Sequence, residues 1–132
     1  MQTEKNNILI VDMDKTKSRE DYLEAILQLS KKGVAPKSIE VAKQLSFSKP
    51  SVSIAMKKLL DDELIYFDDD NRIHLTEKGK QIAEKTLEKH EYLKSFFMNA
   101  GIDAKRAEDI ACDIEHSIDE ESFNKLKNYL KK

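Results

Sequence analysis

The chain has 132 residues, of which 39% are hydrophobic and 36% are charged, and its net charge is −2. This length predicts one compact domain or two small subdomains, and the hydrophobic share excludes a disordered chain of this charge balance. A single cysteine, Cys112, excludes an intrachain disulfide framework and zinc fingers of the CxxC type. No apolar run approaches the ~20 residues that span a bilayer, and no secretory leader is evident. We therefore expect a cytoplasmic protein without a membrane partner.

The charges are distributed unevenly along the chain. Residues 31–60 contain seven lysines and one acid, a balance of +6, which leaves −8 for the rest of the chain. A basic segment on an acidic body is typical of a small nucleic-acid-binding module. Charge alone leaves a second interpretation open, in which the lysines form a solvated face.

The first half of the chain predicts a helix-turn-helix. Residues 1–17 lack helical periodicity and are interpreted as an N-terminal arm, either an edge strand or disordered. A helix is predicted from Ser18 to the residues before Gly33. Two short helices follow, one over 38–45 and one from about Ser48, with Pro50 in a first turn that tolerates proline. Two helices joined by about four residues are typical of a helix-turn-helix.

The side chains expected to face the core of these two helices recur at helical spacing. They are Ile39, Ala42 and Leu45 on the first helix, and Val52, Met56, Leu59 and Leu60 on the second.

Two short β-prone runs, 64–67 and 72–75, flank a turn cluster at 68–71. A hairpin directly after a recognition helix is the wing of a winged helix. Its acidic tip predicts little contact with phosphates, although Arg72 could reach one, and His74 is interpreted as a structural residue of the wing. Amphipathic helices with predicted caps at Thr76, Asp103 and Asp119 fill 76–132 and are of the kind that forms dimer interfaces.

The predicted fold class is therefore mainly α. A winged helix-turn-helix over 18–76 is followed by an all-helical domain over 77–132, for which we predict metal binding and dimerisation.

One group of residues in the second half has the spacing of a metal site. Cys112, Glu115 and His116 fall at i, i+3 and i+4, which places them on one face of a helix. Thiolate, carboxylate and imidazole are ligands of divalent transition metals. Three further candidates lie elsewhere, namely the i, i+3 pair Asp21 and Glu24 and the long-helix residue His90. Each residue taken alone has a structural interpretation, as a cap, a surface acid or a core side chain.

The order of these segments resembles the diphtheria-toxin-repressor family of metal-activated transcriptional repressors. The resemblance covers residues 18–130 and rests on "EDYLEAI", "SIEVAKQLSFSKPSVSIAMKKLLDDELI", "IHLTEKGKQIAEKTLEKHEYLKSFF" and "CDIEHSI". It is greatest for the short manganese-transport-regulator branch, which lacks the C-terminal SH3-like domain.

The resemblance implies a metal ligand set of Asp21, Glu24, His90, Cys112, Glu115 and His116. The set is a hybrid, because Cys112 matches the iron branch whereas Asp21 matches the manganese branch. Glu108 stands where the iron branch has a histidine of an ancillary metal site, and Lys94 replaces a glutamate of that site, so Glu108 is only a candidate ancillary ligand. Manganese or ferrous iron is the expected signal, with zinc, cobalt or nickel binding in vitro.

The resemblance also implies a double-stranded DNA operator as partner and a homodimer as the binding form. Ser48, Pro50, Ser51 and Ile54 occupy positions that face the major groove in the family, and Lys49, Lys57 and Lys58 are expected to attract phosphates. In the expected mechanism, metal cancels repulsion among Asp21, Glu24 and Glu115 and so orders the dimer for DNA.

Two alternatives stay open at this point. One is a metal-independent winged-helix regulator, and the other, less favoured, is an enzyme with a carboxylate-bridged two-metal site. No glycine-rich phosphate loop or serine elbow is present, so we expect no organic cofactor and no catalysis.

Overall fold

The computed structural model describes residues 18–131, so the predicted N-terminal arm lies outside the described residues. Helix α1 covers 18–30. It is followed, in chain order, by α2 (Ser38–Leu45), α3 (Lys49–Asp61), β1 (Ile65–Phe67), β2 (Ile73–Leu75), α4 (Glu77–Asn99), α5 (Ala104–Ile114), a 3₁₀ turn (Glu115–Ser117) and α6 (Glu120–Leu130). The chain divides into two compact units, one ending at Glu84 and the other beginning at Lys85. The predicted mainly α fold class is confirmed.

The helix-turn-helix of the first unit consists of α2 and α3. Ser46 ends α2 in the left-handed region (φ 58°), and its N–H donates to the carbonyls of Ala42 and Lys43. Ser48 then caps α3, because its hydroxyl accepts the N–H of Ser51, and Pro50 lies in the first turn. The proline costs no hydrogen bond there, since first-turn amides have no partner within the helix.

The buried stripes of these two helices differ from the predicted ones in two places. Val41 and Ala42 are the buried residues of α2, whereas Ile39 is 41% exposed. On α3 the spacing i, i+4, i+7 buries Val52, Met56 and Leu59 and leaves Leu60 42% exposed. The expectation that Ile39 and Leu60 face the core is wrong, because Ile39 lies about 160° around α2 from the buried Val41 and Leu60 lies about 100° around α3 from the buried Leu59.

The wing is a two-stranded antiparallel hairpin, with Ile65 opposite Leu75 and Phe67 opposite Ile73. Asp68 shapes the turn, since its Oδ1 accepts the N–H groups of Asp70 and Arg72 and its Oδ2 lies 2.8 Å from Nε2 of His74. The His74 contact also lowers the pKa of Asp68. These contacts agree with the structural interpretation of His74.

Arg72 is engaged within the protein. Its guanidinium donates to the carbonyl of Ala35 at 2.8 Å and lies 4.0 Å from the carboxylate of Glu40. The N–H of Ile73 donates to the carbonyl of Pro36, so the wing is bound to the segment before α2 on two successive residues. The expected phosphate contact of Arg72 would require it to leave these partners.

The first turn of α4 packs against the backbone of the wing. Thr76 caps this helix by accepting the N–H of Gly79, and its own hydroxyl donates to the carbonyl of Glu63. A Cβ at Gly79 would overlap the carbonyl oxygen of Leu64. Glycine is therefore required by the close approach of the two backbones.

The second unit contains the rest of α4 together with α5, the 3₁₀ turn and α6. Asp103 and Asp119 cap α5 and α6 as predicted. Ion pairs join α4 to α6, from Lys85 to Glu120 at 3.0 Å and from Lys127 to Glu88 at 2.6 Å. Within residues 18–131, no helix is long and apolar enough to cross a membrane.

Candidate metal centre and nucleic-acid interface

Glu115 is the centre of a buried polar cluster in the second unit. Its Oε2 lies 2.8 Å from Nδ1 of His90, and its Oε1 lies 3.2 Å from Nε2 of His116. The sulfur of Cys112 lies 3.8 Å from the same His90 nitrogen. The structure thus brings together four of the predicted metal ligands, from α4, α5 and the 3₁₀ turn.

The local geometry of three of these residues differs from the prediction. The α-helical part of α5 ends at Ile114, and Glu115 and His116 lie in the following 3₁₀ turn. Cys112, Glu115 and His116 are therefore not on one continuous α-helix, as the i, i+3, i+4 argument assumed. A 3₁₀ turn has about three residues per turn, so Glu115 still follows Cys112 by roughly one turn, and the predicted convergence is retained.

The charge of Glu115 is compensated within the second unit. Burial raises the pKa of Glu115, but hydrogen bonds from His116 and His90 outweigh this effect and lower it overall. The neighbouring Cys112 and Glu115 raise the pKa of His90 from 6.5 to about 11, so that this imidazole is a cation at neutral pH. The expected repulsion among Asp21, Glu24 and Glu115 did not take into account the two imidazoles that contact Glu115.

Glu108 is the fifth acidic or metal-ligating residue of the cluster. Its Oε1 lies 2.8 Å from Nε2 of His90, and its Oε2 accepts a hydrogen bond from Nζ of Lys94 at 3.0 Å. Burial raises the pKa of Glu108, while Lys94 and His90 lower it, and the net shift is downward. His90, Glu108 and Cys112 each offer one ligand atom within 4.8 Å of the others. The role of Glu108 as an ancillary ligand stays a prediction.

Asp21 and Glu24 lie one turn apart on α1, in the first unit. Glu24 is 8% exposed, and its Oε1 accepts a hydrogen bond from Gln28 at 3.4 Å. Their membership of the ligand set stays a prediction from the sequence.

The donor set of the second unit fits a divalent transition metal. One thiol, one carboxylate and two imidazoles supply sulfur, oxygen and nitrogen atoms within a few ångströms. His90 and Glu115 are nearly fully buried, and an isolated buried charge of either kind would be strongly disfavoured. Among the described residues no buried side-chain nitrogen or oxygen lacks a hydrogen-bond partner. Hydrogen bonds therefore hold the cluster together before any ion binds.

The outer face of α3 is exposed along its length. Every residue predicted to contact DNA lies on the surface, and Ile54 is 73% exposed. These residues are Ser48, Lys49, Pro50, Ser51, Ile54, Lys57 and Lys58. Ser53, which follows Lys49 by four residues, is also exposed but is not among the predicted residues.

Comparisons with known proteins agree with this arrangement. Residues 14–71 match the family model "Iron dependent repressor, N-terminal DNA binding domain", and residues 76–132 match "Iron dependent repressor, metal binding and dimerisation domain". An uncharacterized HTH-type transcriptional regulator of Methanocaldococcus jannaschii is 36% identical over 119 residues, which cover 89% of this chain and 95% of that protein.

Solved structures with the same fold include a manganese regulator and a protein with bound zinc. The manganese regulator SloR is 31% identical, with a TM-score of 0.76, and the match covers 86% of this chain and 53% of SloR. ScaR with bound Zn²⁺ is 26% identical, with a TM-score of 0.73, and the match covers 86% of this chain and 53% of ScaR. This chain thus spans about half of the length of these regulators. It belongs to the iron dependent repressor family, whose members are metal-responsive, DNA-binding transcriptional repressors and not enzymes.

Proposed function

We propose that this protein is a homodimeric, metal-activated repressor that binds operator DNA of metal-uptake genes, with manganese or ferrous iron as the signal. The observation that carries the proposal is the convergence of His90, Cys112, Glu115 and His116 in the part of the chain that matches a metal-binding and dimerisation domain. The same chain presents a basic, exposed helix in the part that matches a DNA-binding domain. The cytoplasm, where its DNA partner lies, is the proposed location.

His90, Cys112, Glu115 and His116 would hold the metal, and Asp21 and Glu24 are proposed as two further ligands. Carboxylate oxygens favour manganese and ferrous iron, while the single thiolate strengthens binding of zinc, cobalt and nickel. SloR is a manganese regulator and ScaR binds Zn²⁺, which supports a divalent metal for this chain. A bound cation supplies positive charge and fixed directions that hold its ligands together.

On activation, the candidate ligands of the second unit exchange hydrogen bonds with one another for bonds to the metal ion. In the metal-free chain the charge of Glu115 is compensated by the proton of His90, and Nε2 of His116 lies 3.2 Å from the same carboxylate. For His90 to act as a ligand through Nδ1, the proton on that nitrogen must leave. Activation is therefore an exchange of protons for a metal ion among residues that already lie together in the second unit, and acid pH opposes it.

On the DNA side, the first turn of α3 offers Ser48, Pro50 and Ser51, and the next turn offers Ile54. Serine hydroxyls can bond base edges or phosphates, and apolar groups can contact thymine methyls. Lys57 and Lys58 supply phosphate attraction. In a homodimer two such helices would address successive major grooves about 34 Å apart.

The proposal is tested by titrating Mn²⁺, Fe²⁺ and Zn²⁺ while DNA binding is followed on promoter fragments of metal-uptake genes. We expect metal to increase the affinity for a specific promoter, and sedimentation to show a dimer. Glu115→Gln should abolish the increase while leaving the helical circular dichroism of the metal-free protein unchanged, because an amide fills the same volume.

Glu121→Gln is the matched control, since Glu121 is exposed and pairs with Lys125 one turn along α6. It should respond to metal like the unmodified chain. DNA affinity that ignores all three metals would favour the alternative of a metal-independent winged-helix regulator.

A further inference from the structure

Glu108 connects the candidate metal centre to a lysine outside it. One carboxylate oxygen, Oε1, lies 2.8 Å from Nε2 of His90, and the other, Oε2, lies 3.0 Å from Nζ of Lys94. His90 and Lys94 are one turn apart on α4, whereas Glu108 comes from α5. The carboxylate thus bridges a buried imidazole and a partly exposed ammonium.

The two nitrogens of His90 have different surroundings. Nδ1 faces Glu115 and Cys112, which are candidate ligands, while Nε2 faces Glu108. A histidine that binds a metal through one nitrogen carries its proton on the other, and a carboxylate accepting that N–H fixes the ring's tautomer and orientation. Glu108 has the position of such an acceptor.

Lys94 makes Glu108 a poor ligand for a second ion. Its ammonium already neutralises the carboxylate from the side opposite His90. A dication bound to Glu108 would lie close to this fixed positive charge and would be repelled by it. The arrangement therefore favours Glu108 as an acceptor for His90 over Glu108 as a metal ligand.

We propose that Glu108 is a positioning residue, held by Lys94, which keeps the proton of His90 on Nε2 and thereby presents Nδ1 to the metal. The proposal rests on the metal site of the proposed function and adds to it a residue that acts through His90. It also implies that the ammonium of Lys94 provides, beside Glu108, the positive charge that an ancillary metal ion would otherwise provide.

The test uses the full-length protein loaded with Zn²⁺ and labelled with ¹⁵N in its histidines. Zinc is diamagnetic, so the ¹⁵N shifts identify which nitrogen of His90 binds the metal and which carries the proton. We expect Nδ1 to bind the metal and the Nε2 proton to exchange slowly with water. In Glu108→Ala that proton should exchange faster, and zinc affinity should fall about 10- to 100-fold at an unchanged number of bound ions.

Glu108→Gln should recover part of the loss, because its amide oxygen can still accept the Nε2–H. Glu120→Gln is the matched control, since Glu120 forms an equally long ion pair with Lys85 on the same helix but does not contact His90. It should leave affinity and exchange unchanged. Glu108 is half exposed, so these variants are expected to fold, which thermal melts would check.

Two results would overturn the inference while leaving the proposed function intact. If Glu108→Ala loses one bound zinc ion and the remaining ion binds as before, Glu108 is a ligand. If affinity and proton exchange are both unchanged, Glu108 has no role at the site. Failure of the unmodified protein to bind zinc would instead contradict the proposed function itself.

Discussion

His90 links the candidate metal centre to pH. Cys112 and Glu115 raise its pKa to about 11, so the folded, metal-free chain holds a proton that an unfolded histidine releases near pH 6.5. Because the folded-state pKa is the higher one, the contribution to stability is fully present below about pH 6.5 and is lost as pH rises toward 11. A metal ion competes for the same imidazole.

Metal binding should therefore release protons at neutral pH. We expect at least one proton per ion and an increase in affinity of about tenfold per pH unit for each proton released. Calorimetric titrations of Mn²⁺ in buffers of different ionisation enthalpy at pH 6, 7 and 8 would count the protons. Binding that is independent of pH over this range would mean that His90 is already neutral or is not a ligand.

Cys112 is the residue that makes the donor set a hybrid. Its sulfur is the soft donor among the four candidate ligands of the second unit, and the other three offer oxygen or nitrogen. We expect Cys112→Glu to weaken zinc and cobalt binding relative to manganese, because it exchanges a thiolate for a hard carboxylate. Competition with a chromophoric chelator would measure the three affinities. Equal changes for all three metals would show that the sulfur does not set selectivity.

The sequence predicted most of these candidate residues but not their surroundings. Cys112, Glu115 and His116 are close in sequence, so one helical turn brings them near one another even though α5 ends in a 3₁₀ turn. The bridge from Lys94 through Glu108 to His90 depends on how α4 lies against α5, which no local pattern encodes. For the same reason the sequence could not predict that two imidazoles contact the carboxylate of Glu115. Repulsion among carboxylates was expected in its place.

At the scale of elements, caps were predicted well and burial less well. Thr76, Asp103 and Asp119 cap helices through hydrogen bonds to residues three positions ahead, which is local information. Burial depends on neighbours that are distant in sequence, and Ile39 and Leu60 are exposed in spite of their apolar character. The 3₁₀ ending of α5 was likewise missed, because helix ends adjust to packing.

Gly79 joins two elements of the first unit. A methyl group there would overlap the Leu64 carbonyl oxygen, which belongs to backbone and cannot rotate away. We expect Gly79→Ala to destabilise the protein by the upper part of the ~1–3 kcal/mol typical of overpacking, in spite of alanine's better helix propensity. Urea unfolding would measure the loss. Lys80→Ala, at an exposed position of the same turn, should lower the free energy of unfolding much less. An equal decrease would show that the overlap with the Leu64 carbonyl is not the cause.

Helix α3 is expected to contribute much of the electrostatic attraction to DNA. Lys57 and Lys58 are exposed beyond the first turns that carry the proposed base contacts. Replacing both with glutamine should reduce the slope of log affinity against log salt by up to ~0.9 per lost phosphate contact, with little change in preference among promoter sequences. Fluorescence anisotropy at several salt concentrations would measure the slope. Lys125→Gln on α6 is the control. A similar decrease of the salt slope in this variant would show that the effect comes from the net charge of the protein and not from the position of the lysines on α3.

For the whole molecule, the proposed function requires that two ligands bound to different parts of the chain influence each other. If metal increases the affinity for operator DNA by a given factor, DNA must increase the affinity for metal by the same factor, since both paths lead to one ternary complex. Couplings of this kind are typically about 5- to 150-fold. We expect a specific promoter duplex to tighten Mn²⁺ binding by a factor within this range, measured with a competing chelator.

A duplex of unrelated sequence should have a smaller effect, because it binds through phosphates with little preference for the metal-bound form. Glu115→Gln should remove the coupling in both directions. If metal tightens DNA binding by Glu115→Gln as much as by the unmodified chain, the metal acts at a site other than the one described, for example by bridging protein and phosphate directly.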